Sequence, residues 1–224
     1  MKSIRLLIFL FLGLGLSFSC EKGNTYYTDF SKDNISFDGT IYEYLVNKPG
    51  QYDSLILLLE ILPELKDKLS NPNDTLSFFV TDNRSFALAI KNLNTKLIEA
   101  KKDPLYLEDL DKKIMDTLAY RYLIEDLIGI NDLKEHKDGI KIISAKYDYE
   151  MHGQYRVLTA SGLVGKGDQQ IVYSDVNNSI YRRYWQNANT RSVNLKAKNG
   201  YIHTLTPQHE FAFGKLIEYF TKDK

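Results

Sequence analysis

Cysteine is almost absent. The 224 residues hold one, Cys20, so no disulfide can close within the chain. Net charge is absent as well: Lys+Arg and Asp+Glu both number 29, which removes any global electrostatic case for nucleic acid as a partner. Histidine is scarce, and its four copies, His136, His152, His203 and His209, form no HExxH or other close metal-ligand spacing. The strong catalytic motifs are missing too. There is no G-x-S-x-G elbow, no G-x-G-x-x-G and no Walker A; "GLVGKG" (Gly162–Gly167) leads into Asp-Gln-Gln and reads as a hairpin or bulge. No internal repeat or low-complexity tract is present. These absences leave no positive case for an enzyme, a metal or a cofactor.

What is present begins with an export signal. Lys2 and Arg5 precede the apolar run Leu6–Leu16, which is shorter than the about 20 residues that span a bilayer. "SFSC" follows, so the only cysteine falls directly after the small Ser19. The segment resembles a bacterial lipoprotein signal, although Ser17 stands where such signals usually carry leucine. The resemblance implies removal of residues 1–19 and lipidation of Cys20, which anchors the chain to a membrane without spanning it. The polar, Gly/Asn/Asp-rich residues that follow, 20–39, are expected to form a flexible tether.

Residues 40–224 read as one folded domain. Hydrophobic residues are 43% and charged residues 26%, ordinary values for a domain with a core. Helix signals dominate the first half. "TIYEYLVNKPG" carries a cap in Thr40 and a Pro-Gly stop. The run Leu55–Leu62 is apolar nearly all round and is expected to end near Pro63. After a strand at Leu76–Thr81, Phe86, Ala89, Ile90 and Leu93 have helical spacing. Leu107, Leu110, Ile114, Leu118 and Tyr122 form one stripe of a further helix. From about residue 139 the pattern turns to short β-branched or aromatic runs separated by Gly, Asn and Asp, and "HEFAFGKLIEYFTK" closes the chain as an amphipathic helix. Helices followed by strands indicate an α+β fold with the sheet or sandwich formed mainly by the second half, not an alternating doubly wound one.

The order of these pieces resembles the fasciclin (FAS1) domain, an α+β wedge of extracellular adhesion proteins and bacterial envelope proteins. "FVTDNRSF" matches the family's first motif at Phe79, Asn83 and Phe86, with Thr81 and Asp82 replacing its Pro-Thr. "LAYRYLI" supplies Tyr120 of the central Tyr-His motif, but Arg121 replaces the histidine. "NGYIHTL" matches the third motif at Asn199, Gly200, Ile202 and His203, and "TIYEYL" is similar to the family's start. The resemblance covers about residues 40–206 and makes this a divergent member. It implies an adhesion or binding module, and it places the His203 strand inside the sheet. His203 is therefore expected to be a neutral, hydrogen-bonded structural residue.

One stretch stands apart. "YSDVNNSIYRRYWQNANTR" concentrates Tyr173, Tyr181, Tyr184 and Trp185 with Asn187 and Asn189. Between Asp175 and Glu210 there is no acidic residue, but there are Arg182, Arg183, Arg191, Lys196 and Lys198. Either these aromatics fill the β core with the arginines solvated, or Tyr181, Arg182, Arg183, Tyr184 and Trp185 form a basic aromatic binding face. The sequence thus supports a non-enzymatic lipoprotein of a bacterial cell envelope, expected at the outer membrane, held by its lipid and binding a protein or glycan. The alternative is an accessory glycan-binding lipoprotein of a polysaccharide-uptake system. A hydrolase using unrecognised carboxylates is a third class with no motif behind it.

Overall fold

The computed structural model describes residues 35–159 and 167–222. The expected signal segment, Cys20 and nearly all of Gly162–Gly167 lie outside the described residues. Residues 35–37, read above as tether, already pair with the sheet: Ser36 bridges Lys196, and Phe37 N–H donates to Lys196 O at 2.8 Å.

Helix α1 (Ile41–Val46) starts where its capping box sits. Thr40 Oγ1 accepts from Glu43 N while the Glu43 carboxylate accepts from Thr40 N. Helix α2 (Asp53–Ile61) buries Leu55, Leu58 and Leu59. Pro63 is not simply a stop. It occupies the first turn of a further helix, α3 (Pro63–Ser70), where its missing N–H costs nothing. Strand β1 (Leu76–Val80) is buried at all five positions, so "LSFFV" reads as a continuous run rather than an alternating one. Asp82 then caps α4 (Asn83–Glu99), its Oδ1 accepting from Arg84 and Ser85 N–H.

The stripe at Leu107–Tyr122 is not one helix. A 3-10 turn at Leu107–Asp109 leads to extended Leu110. Asp111 caps α5 (Lys112–Ala119), a second 3-10 turn spans Tyr120–Tyr122, and β2 (Leu123–Ile124) follows. A capping aspartate in the middle of the stripe restarts the helix there. Helix α6 (Ile130–Lys134) precedes β3 (Ile140–Ile143), β4 (Glu150–Val157), β5 (Gln169–Asp175), β6 (Gln186–Ala197) and β7 (Gly200–Leu205). The closing amphipathic segment is also broken. Ala212, Phe213 and Gly214 have φ of 61°, 53° and 72°, so only Lys215–Thr221 forms helix α7.

Seven strands form one mixed sheet in the order β2-β1-β7-β6-β5-β4-β3. Only β1 and β7 run parallel. Strand β6 holds the two halves together, pairing with β5 through Gln186–Asn189 and with β7 through Thr190–Ala197, across irregularities between Thr190 and Leu195. Ala145 N–H donates to Leu123 O at 2.8 Å, so the two outermost strands meet at one end and the sheet nearly closes on itself. The expectation of helices first and sheet second is therefore only partly met: β1 and β2 lie before residue 139, among the helices, and β1 is an interior strand.

"NGYIHTL" anchors this architecture. Gly200 has φ of 150°, and a Cβ there would lie 1.9 Å from Leu76 O, so only glycine lets β7 approach β1. Asn199, 1% exposed, accepts from Ile41 N at 2.9 Å and donates to Leu69 O and Asn71 O at 3.0 and 3.1 Å. One side chain thereby satisfies the start of α1 and the end of α3. Asn199→Ala is expected to cost roughly 3 kcal/mol, since each orphaned buried backbone group costs about 1–3 kcal/mol. Urea unfolding would show this as a lower midpoint with an unchanged slope.

Candidate functional site

The other motif residues also lie in the scaffold. Phe79 is fully buried, stacked 3.7 Å from the Tyr173 ring and 4.9 Å from His203. Asn83 joins two helix starts: its Oδ1 accepts from Ser54 N, and its Nδ2 donates to Gly50 O and Asp53. Phe86 stacks on Phe211 at 4.3 Å, and Ile202 is fully buried. Tyr120 is fully buried against Tyr147, with no hydrogen-bond partner for its hydroxyl among the described residues.

His203 is fully buried and both ring nitrogens are used. Asn194 N–H donates to Nδ1 at 3.3 Å, so Nδ1 is an acceptor, and Nε2–H donates to Ile128 O at 2.8 Å. Desolvation pushes its pKa down to about 4, against a smaller opposing effect of the Ile128 carbonyl. A second histidine, not singled out by sequence, behaves alike. His209 Nε2 accepts from the Tyr122 hydroxyl at 2.7 Å, because that hydroxyl is itself accepting from Ala212 N. Burial lowers the His209 pKa to about 3.

The basic aromatic stretch divides. Tyr173 is core, fully buried, with its hydroxyl donating to Arg121 O. Tyr181, Arg182, Arg183 and Tyr184 are exposed, and Trp185 is half-buried. The loop between β5 and β6 that carries them is tied at its base. Asp175 Oδ1 accepts from Asn177 N at 2.7 Å, and Asn177 and Asn178 take left-handed φ of 53° and 52°, which asparagine tolerates. Ser179 N donates back to Val176 O, Ser179 Oγ accepts from Tyr181 N, and Trp185 Nε1 donates to Ser179 O at 2.7 Å. A 3-10 turn over Arg182–Tyr184 completes it.

On that frame Trp185 is the foot and the arginines and tyrosines are the face. Trp185 sits 4.8 Å from the His152 ring, with the Arg182 guanidinium 5.4 Å away. Burial, and then the Arg182 charge, hold the His152 pKa below the usual histidine range. Arg182 is held by Asp138 O at 2.9 Å. The Arg183 guanidinium lies 4.8 Å from the Tyr184 ring and 5.4 Å from the Tyr181 ring, the two rings meeting edge to face at 6.4 Å. Ile180, at 86% exposure, is the most exposed large apolar residue described. Sequence reasoning passed over it, although it lies inside the quoted stretch. Asn187 accepts from Ser174 Oγ and Asn189 pairs opposite Val172, so both belong to the β5–β6 ladder.

This face offers two guanidinium groups and partly covered aromatic rings, which suits an anionic or hydrogen-bond-accepting surface. No nucleophile with an adjacent base stands there. Among the described residues no group of three or more His, Cys, Asp or Glu could hold a metal, and no helix is long and apolar enough to cross a membrane.

No family model matches the sequence, and no curated protein matches it. A solved structure does match: the FAS1 domain pair from the insect cell adhesion molecule fasciclin I, at 12% identity and a TM-score of 0.50. The match covers 75% of this chain and 49% of that one, so the chain spans about half the length of the domain pair. At that identity the likeness concerns the fold alone, and the fold of this chain is FAS1-like.

Proposed function

We propose that this chain is a non-enzymatic FAS1-type binding module, held at a bacterial cell envelope by a lipid on Cys20. Its contact surface is the Ile180–Trp185 loop, and its partner is a protein. The observation that carries the reading is the organised exposure of Ile180, Tyr181, Arg183 and Tyr184 on a loop fixed from below. Tyr and Arg are the residue types that dominate protein interfaces. The face also lies far from the point where the N-terminal segment enters. Ile35 and Phe37 pair beside Lys196 near one end of β6, whereas the loop leads into the other end at Gln186. At about 3.3 Å per residue these points stand roughly 30 Å apart. A glycan is the lesser reading because the rings it would stack on are already engaged by Arg183, Arg182 and His152.

The test uses the full chain in intact cells with a photoreactive residue replacing Tyr184. The expected result is a covalent protein adduct in the membrane fraction. Arg183→Glu should reduce the adduct at least tenfold with no change in the unfolding temperature beyond a few degrees. Cys20→Ala should move the protein to the soluble fraction. An adduct with polysaccharide alone would favour the glycan reading, and unchanged membrane association of the Cys20→Ala variant would remove the anchor.

A further inference from the structure

We propose that the notch between the two open edges of the sheet takes an extended, cationic segment of a partner protein as an added strand along β3. The two edge strands meet only at the Ala145 N–H to Leu123 O bond. From there the segments Ile124–Ile128 and Ile140–Ser144 diverge and line a cleft of about 640 Å³. That volume holds a few residues of extended chain.

The edge facing the cleft is unpaired. Antiparallel ladders alternate residues whose backbone groups point toward the partner strand with residues whose groups point away. Ser144 N–H donates to Tyr149 O, toward β4, and Ala145 N–H points the other way, to Leu123. In the register Ile140↔Gly153 and Ile142↔Met151, the even-numbered residues of β3 face β4. Lys141 and Ile143 therefore turn their N–H and C=O groups into the cleft, where none of the described residues bonds to them. Such an edge is a template for strand addition.

The charge of the lining selects the occupant. Lys141 is drawn to Glu150 at 2.5 Å, and Lys146 to Glu64 and Asp116 at 2.7 Å each, so neither lysine leaves a free positive charge in the notch. Glu125 is paired with Lys68. Asp126, Asp132 and Asp148, which also line the cleft, have no ion-pair partner among the described residues. Ile143 and Leu127 add apolar surface, exposed at 40% and 43%. An extended segment alternating apolar and basic residues meets both requirements.

The probe is a fluorescein-labelled seven-residue peptide alternating valine and lysine, titrated into the intact protein at about 0.1 M salt. The expected result is saturable binding, with amide hydrogen exchange at Lys141 and Ile143 slowed at least tenfold in the complex. The double variant Asp126→Lys/Asp148→Lys should bind at least tenfold more weakly while keeping its unfolding temperature within a few degrees. The same peptide N-methylated at alternate residues should not bind. Absence of binding, equal binding of the N-methylated or a valine–glutamate peptide, or unchanged exchange at the two amides would each overturn the proposal. Protection of those amides by protein concentration alone would overturn it in favour of a second copy of the chain.

Discussion

Between pH 6.5 and pH 4 this protein is expected to lose roughly 5 kcal/mol of stability through two histidines alone. His203 and His209 are buried and hydrogen-bonded as neutral rings, with pKa lowered to about 4 and about 3. In the unfolded chain both titrate near 6.5. Above that pH neither state binds a proton at these sites, and they add no pH dependence. Below it the unfolded chain takes up two protons that the folded one refuses. Stability then falls by about 1.4 kcal/mol per pH unit for each histidine. The His203 contribution levels off near pH 4 and the His209 contribution continues to about pH 3. A domain of this kind has about 5–15 kcal/mol in total, so acid unfolding should set in near pH 4. Denaturant titrations at successive pH values measure the slope. His203→Gln and His209→Gln should each reduce that slope by about half, whatever each does to stability at pH 7. A flat stability between pH 6.5 and 4, or imidazole resonances titrating near 6.5 in the folded protein, would sink the argument.

These histidines also mark the limit of what the sequence can show. His203 was legible as structural because the resemblance of "NGYIHTL" to the third FAS1 motif implied a strand inside the sheet, and that strand is buried at five of its six positions. His209 was not, because its partner is the Tyr122 hydroxyl, 87 positions away in the sequence, and no local pattern encodes that contact. The same division runs through the fold. Helix α1 is written in its capping box, and α4 in its spacing and its capping aspartate. Helix α3 was missed because a proline can open a helix as readily as it ends one. The 107–122 stripe misled because periodicity survives a break that preserves register. In the candidate site the composition was legible but the sorting was not. Tyr173 goes inward because β5 lays it against Phe79, and Tyr181 outward because the asparagine turn follows Asp175. The notch depends on the approach of β2 to β3, consecutive strands at opposite ends of the sheet order, and no local pattern reports that approach.

The second large effect is expected at Arg121, which stands where the family motif has histidine. The residue is 3% exposed, its guanidinium pairs at 2.5 Å with Asp175, which is fully buried, and its Cζ sits 3.9 Å from the Tyr149 ring. Arg121→Met keeps much of the apolar volume and removes the charge. It strands the Asp175 carboxylate in the core with only the Tyr149 hydroxyl and Asn177 N–H as donors. Breaking one side of a buried pair costs about 3–5 kcal/mol, chiefly from the charge left behind. If that is the cause, discharging the other side should repair it. Arg121→Met/Asp175→Asn should recover at least half of the loss, although it removes one more native residue. Denaturant midpoints of Arg121→Met, Asp175→Asn and the double variant decide the matter: a double variant as unstable as the sum of its parts would locate the cost in packing instead. The pair also reaches the proposed contact surface. Asp175 Oδ1 holds Asn177 N–H, and Asn177 in turn accepts from Lys215, so the carboxylate that Arg121 neutralises is the inner anchor of the Ile180–Trp185 loop. Amide exchange at residues 177–181 should therefore rise in Arg121→Met by more than the global loss of stability accounts for. It should return in the double variant, where the substituted amide side chain still offers an acceptor oxygen to Asn177 N–H. A loop unaffected by the single substitution would separate the buried ion pair from the binding face it underlies.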